Sequence, residues 1–104
     1  MEPDYSSLLI NKILQERSRL LIVSYLMGKE SQKAAFMELQ KALNLTRGNL
    51  SIQIKKLIEA GYVGINKEFR DNKPLSTISL LEKGVLALKN YLAELSKLLD
   101  FLPE

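Results

Sequence analysis

Hydrophobic positions change their period along the chain, and each change predicts an element. Over residues 6–27 the apolar side chains recur at helical intervals, with Leu9, Ile13, Leu20, Val23 and Met27 among them. A polar, basic patch at residues 15–19 predicts a bend between a short first helix and the next. Gly28 stands where a helix C-terminus favours a residue tolerant of positive φ, and residues 28–33 read as a polar connection. A compact helix follows over residues 37–43, with Phe36, Leu39 and Leu43 on one face and Glu38 and Lys41 on the other. Asn44, Leu45 and Thr46 then read as a tight turn, because Asn tolerates the left-handed conformation and Thr is a good N-cap. Leu50, Ile54, Leu57 and Ile58 define the buried face of the next helix, residues 47–60, which Gly61 ends. Two helices joined by a three-residue turn form a helix-turn-helix over about residues 36–60.

Beyond Gly61 the period falls to two. Val63, Ile65 and Phe69 alternate with polar neighbours, as do Ile78 and Leu80, and the turn-rich stretch 70–74 separates the two runs. This predicts a β-hairpin over about residues 62–80 with a basic tip, the arrangement called a wing. Helical period returns over about residues 82–102. Leu81, Val85, Leu88, Leu92, Leu95, Leu99 and Leu102 alternate spacings of four and three, a heptad seam sustained for about three heptads. The fold expected is α+β, mainly α with a small β-hairpin: a winged helix-turn-helix with N- and C-terminal dimerisation helices, in a single domain spanning residues 1–104.

Charge sharpens this reading. The net charge of the 104 residues is +3. Residues 46–74 carry six basic and three acidic side chains, so the whole excess lies in the second half of the helix-turn-helix and the wing. That concentration points to a polyanion at this surface, although a solvated helix carries a few lysines in any case. The chain has no cysteine and no histidine. Disulfides, thiolate sites and most transition-metal chemistry are thereby excluded, and the commonest general base is missing. No metal, cofactor or enzymatic role is expected. The acidic, polar N-terminus does not resemble a secretory signal, and the longest apolar stretch, residues 20–27, is too short to span a bilayer. A cytoplasmic location without membrane association is expected.

Placing the residues of the 47–60 helix 100° apart puts Gly48, Ile52, Lys55 and Glu59 opposite the apolar stripe, flanked by Asn49, Ser51 and Lys56. The N-terminal turns of a recognition helix meet base edges. Arg47, Asn49, Ser51, Ile52 and Gln53 are therefore candidate base readers, and Lys55 and Lys56 candidate phosphate contacts. Thr46 and the first free amides of the helix offer a further phosphate site. Ile52 suits a thymine methyl, or is an ordinary exposed apolar side chain. In the wing, Lys67, Arg70 and Lys73 are candidate phosphate or minor-groove contacts, or routine solubilising charges. The terminal seam, with Leu9 and Ile13, is a candidate dimer surface; the alternative is that it packs back on its own domain.

The segments FMELQKALNLTRGNLSIQIKKLIEAGYV and LSTISLLEKG resemble the small winged-helix transcription regulators allied to the MarR and ArsR groups, with LTRGNLS, KKLIEAGYV and LEKG at the expected intervals. The resemblance covers residues 19–84, about two-thirds of the chain. It implies a homodimer on double-stranded DNA, recognition helices about one duplex turn apart, and wings along the flanking groove or backbone. One departure is Leu81, where such proteins often place a Thr N-cap. The leading expectation is a sequence-specific regulator of transcription. Rivals are a winged-helix protein-interaction module and a sequence-independent DNA-coating protein. The sequence leaves a small-molecule effector open, since no polar cluster marks a pocket.

Overall fold

The computed structural model describes residues 4–8 and 10–103. Helix α1 (Arg17–Met27) is followed by strand β1 (Lys33–Ala35), helices α2 (Phe36–Leu43) and α3 (Arg47–Glu59), strands β2 (Val63–Arg70) and β3 (Lys73–Leu80), and helix α4 (Glu82–Lys97). The fold is α+β, a winged helix as expected.

The first helical segment is shorter than its periodicity predicts. A 3₁₀ turn at Tyr5–Ser7 is followed by turns, and α1 begins only at Arg17. Asn11 caps a separate turn: its Oδ1 accepts the backbone N–H groups of Ile13 (2.8 Å) and Leu14 (3.0 Å) and its carbonyl accepts from Gln15 (3.0 Å), after which Glu16 adopts extended backbone (ψ 129°) and separates that turn from α1. Leu14 then turns fully into the core. Glu16 starts α1 by accepting from the amides of Ser18 and Arg19, both at 3.0 Å. Gly28 does close α1, but in the right-handed region (φ −76°); the positive φ of this connection belongs to Gln32 (φ 55°).

Strand β1 had no periodic signal, being only three residues long. It pairs antiparallel with β3, Ala34 opposite Ile78, and makes the hairpin a three-stranded sheet in the order β1-β3-β2. Between α2 and α3 the turn forms as its residues predict. Asn44 takes the left-handed conformation (φ 52°, ψ 49°), and Thr46 Oγ1 accepts the Asn49 amide at 3.1 Å. Gly61 (φ 79°) ends the next connection. In the hairpin the register runs from Val63 opposite Leu80 to Arg70 opposite Lys73. Asp71 and Asn72 both have positive φ (52° and 62°), the two-residue turn whose twist matches the strands. Only the base of the hairpin is buried, at Val63, Ile78 and Leu80. Phe69, assigned by alternation to the apolar face, is 79% exposed because the hairpin has left the body of the molecule by that point.

The core joins Leu14, Ile22, Val23 and Leu26 to Leu39, Leu50, Ile54 and Leu57, and to Leu88 and Tyr91 of α4. Helix α4 passes very close to the base of the hairpin: a Cβ on Gly84 would lie 2.3 Å from the Tyr62 carbonyl oxygen. The heptad seam divides. Leu88 is buried in the core of its own chain, which corrects its assignment to a dimer surface. Val85 and Leu95 are half-buried, while Leu81, Leu92, Leu99 and Leu102 are exposed, as is Leu86. Regular α-helix ends at Lys97, and Leu98–Phe101 form a 3₁₀ turn. Of the other candidates for a dimer surface, Ile13 packs partly against the core and Leu9 lies outside the described residues.

Candidate nucleic-acid interface

Helix α3 divides into an apolar face, a polar inner flank and an outer face. Leu50, Ile54 and Leu57 hold the apolar face. The outer face carries Arg47, Gly48, Ser51, Ile52, Lys55, Lys56 and Glu59, all exposed. Ile52 is 55% exposed. Ile58, expected in the core stripe, is partly exposed and lines a groove beside the helix. Thr46 Oγ1 accepts the Asn49 amide as the helix cap, which leaves its O–H to donate to a ligand alongside the first-turn backbone amides.

The inner flank differs most from the sequence-based assignment. Gln53 is only 9% exposed, and its Oε1 accepts from the Arg19 guanidinium at 2.6 Å. Its Nε2 donates to Asn49 Oδ1 at 3.0 Å, and Asn49 Nδ2 donates to Ser18 Oγ at 3.3 Å. Both side chains therefore face α1, and neither belongs with the outward residues. The cause is Arg19, itself 9% exposed: a buried guanidinium needs acceptors, and Gln53 of α3 supplies one of them. Signals for this were present. Gln53 lies three residues after Leu50 and four before Leu57, on the edge of the apolar stripe, and Arg19 directly precedes the apolar run of residues 20–27.

Between α2, α3 and the hairpin runs a groove of about 580 Å³. Its lining includes Phe36, Met37, Ile58, Ile65 and Leu75, together with the cations Arg47, Lys55 and Lys67 and no acidic residue. Recognition helix and wing thus share one cationic surface. Sequence reasoning found those cations but missed Met37 and Leu75, which become neighbours only when the hairpin folds over α2. Arg70 and Lys73 lie farther out, paired across the hairpin tip, and Arg70 makes an exposed ion pair with Glu68 at 3.3 Å.

Helix α2 is tied to α1 by Glu38, which accepts from the Tyr25 hydroxyl at 2.7 Å and pairs with Lys29. The Lys29 hydrogen bond, then that of Tyr25, holds the Glu38 carboxyl below its ordinary pKa. Glu16 is also lowered: partial burial works against the charge, but the Ser18 and Arg19 amides and the Arg19 guanidinium outweigh it. Among the described residues there is no group of three or more His, Cys, Asp or Glu side chains that could hold a metal ion. Among them, too, no helix is long and apolar enough to cross a membrane.

Known proteins share this architecture. Over 87 residues the chain is 37% identical to an uncharacterized protein of Methanocaldococcus jannaschii, covering 84% of this chain and 92% of that one. Among solved structures it is similar to a transcriptional regulator homologue from Pyrococcus horikoshii, with TM-score 0.77, 33% identity and 85% of each chain covered. Its fold is also that of a mutant MarR from E. coli, at TM-score 0.68 and 16% identity, over 86% of this chain and 67% of that one. The model of the winged helix DNA-binding domain matches residues 18–99. With its helix-turn-helix, cationic wing and this match in agreement, the chain belongs to the winged helix DNA-binding domain family, and its fold is the one seen in MarR.

Proposed function

We propose that the protein is a sequence-specific regulator of transcription that binds double-stranded DNA as a homodimer, with no enzymatic activity. One observation carries this reading: the outer face of α3 and strand β2 of the wing line a common surface whose charged residues, Arg47, Lys55 and Lys67, are all cations. Helix α3 enters the major groove, with Arg47, Ser51 and Ile52 at base edges and Lys55 and Lys56 at phosphates. Lys67, Arg70 and Lys73 meet the flanking backbone or minor groove. Asn49 and Gln53 are excluded from base contact by their bonds to Ser18 and Arg19. The exposed Leu92, Leu99 and Leu102 of the C-terminal segment, continuous with half-buried Val85 and Leu95, support pairing with a second copy.

Fluorescence anisotropy of a labelled mixed-sequence duplex of about 30 base pairs, long enough for two recognition helices one duplex turn apart, tests the reading. Wild type is expected to bind in a salt-sensitive manner, and Lys55→Glu/Lys56→Glu to abolish binding. Indifference to DNA at low salt, in a protein shown to be folded, favours a protein-interaction module. The apolar residues of the groove, Met37 above all, are the feature that suits such a partner. Equal affinity for every duplex would favour a DNA-coating protein.

A further inference from the structure

Two hydrogen bonds connect the buried Arg19 with α3 and with the N-terminal segment. Its Nε donates to the Ile13 carbonyl at 2.6 Å, and its Nη1 donates to Gln53 Oε1 at 2.6 Å. Gln53 continues to Asn49, Asn49 to Ser18, and the amides of Ser18 and Arg19 return to Glu16. The circuit links three pieces of chain: residues 11–16, the first turn of α1 and the first two turns of α3. Residues 11–16 are in turn held to the base of the hairpin, where Asn11 Nδ2 donates to the Tyr62 hydroxyl at 2.8 Å.

Building on the DNA-binding reading, we infer that Arg19 and Gln53 are positioning residues for sequence discrimination, fixing the rotation of α3 against α1 and the N-terminal segment. Apolar contacts such as those of Leu50, Ile54 and Leu57 are non-directional and tolerate small rotations of a helix. A planar guanidinium held at two acceptors is directional. The difference matters at the base edges. With side-chain tips about 5–6 Å from the helix axis, a rotation of about 20° carries a tip about 2 Å. A hydrogen bond to a base does not survive that displacement, whereas a screened phosphate contact largely does. The circuit therefore governs which duplex is preferred more than how strongly DNA is held.

The test uses the full chain and two duplexes of about 30 base pairs, spanning two half-sites: one selected by the wild-type protein from a random pool, the other its scrambled counterpart. Arg19→Met/Gln53→Leu removes both partners together and so leaves no buried charge unpaired. The variant is expected to fold, to keep the wild-type salt slope, and to lose at least about tenfold of the discrimination between the duplexes, as expected when one base contact is lost. Arg19→Lys keeps the charge but not the fork; it is expected to lose about threefold or more, part of a single base contact, and serves as the readout if the double variant does not fold. Wild-type discrimination in either folded variant overturns the positioning role and leaves the DNA reading intact. A wild-type protein that binds no duplex in a salt-sensitive manner overturns the DNA reading itself, and this inference with it.

Discussion

Adding one methyl group at two different glycines should move stability in opposite directions. Gly84 lies in the first turn of α4, where a Cβ would stand 2.3 Å from the Tyr62 carbonyl oxygen and 2.8 Å from Leu80 Cδ1. The nearer obstacle is backbone, so the first turn of α4 and the base of the hairpin must separate by about 1 Å to reach ordinary contact. Overpacking of this kind costs about 1–3 kcal/mol, against which the better helix propensity of Ala returns at most about 1 kcal/mol. Gly84→Ala should therefore destabilise by about 1 kcal/mol, lowering Tm by about 4–8 °C for a domain of this size. At Gly48 nothing lies within 4 Å of the added atom, so only the propensity gain remains. Gly48→Ala should stabilise by about 0.5 kcal/mol, or about 2–4 °C in Tm. Thermal melts followed by circular dichroism at 222 nm, with urea titration to compare slopes, measure both. A Gly84→Ala protein as stable as wild type would refute the close approach of α4 to Tyr62. The same pair separates stability from function. Gly48 faces outward on α3, so if that turn lies against duplex DNA, the stabilised Gly48→Ala variant binds more weakly than wild type.

Four further variants bear on the surface and its supports. Lys55→Ala should lower the slope of log affinity against log salt by about 0.9 and weaken all duplexes equally; Arg47→Ala should cost about 1–3 kcal/mol at the selected sequence only, and a uniform loss from it would remove Arg47 from the base readers. Leu92→Glu/Leu99→Glu should yield a folded monomer by sedimentation, while an unchanged oligomeric state would exclude this face of α4 from pairing. The lowered pKa of Glu38 means that its ionised form favours the folded state, so its contribution is complete above the ordinary carboxylate value of about 4.3 and fades as pH falls through the lower folded value. Wild type should accordingly be more stable than Glu38→Gln in urea at neutral pH, with the gap closing in acid; a gap that widens there would reverse the assignment.

Elements dominated by local rules were legible in the sequence. The Asn44 turn, the Thr46 cap and the two-period hairpin each follow from side-chain chemistry within a few residues, and all three form. Features set by distant contacts were not. Strand β1 exists because β3 offers it a partner 44 residues away, Ala34 to Ile78, and three residues carry no period. The N-terminal pattern does not become one helix because Asn11 and Glu16 each cap a new start with a side-chain oxygen, which a wheel does not register. On the candidate interface, spacing located the cations but not the direction of the amide side chains. Asn49 and Gln53 are chemically suited to adenine, and only the burial of Arg19 shows where their hydrogen bonds go.

The heptad seam shows how one pattern serves two purposes. Seven positions obey a single period, yet the structure sends Leu88 inward and leaves Leu92, Leu99 and Leu102 outside. In the C-terminal part of α4 and the turn after it, one side still packs inward, through Tyr91 and Leu95, while Leu92, Leu99 and Leu102 lie on the exposed side. Near the hairpin base α4 packs on Tyr62 through Gly84 and buries Leu88 and Tyr91; beyond that region its leucines have fewer partners within the chain. Helix α3 is divided in the same manner, but across its width. Its apolar face is buried in the core, its inner flank is hydrogen-bonded to α1, and its outer face is exposed. Substitutions on the three faces should therefore be distinguishable by readout. Loss at Leu50 lowers stability, loss at Gln53 lowers discrimination, and loss at Lys55 lowers affinity for every duplex alike.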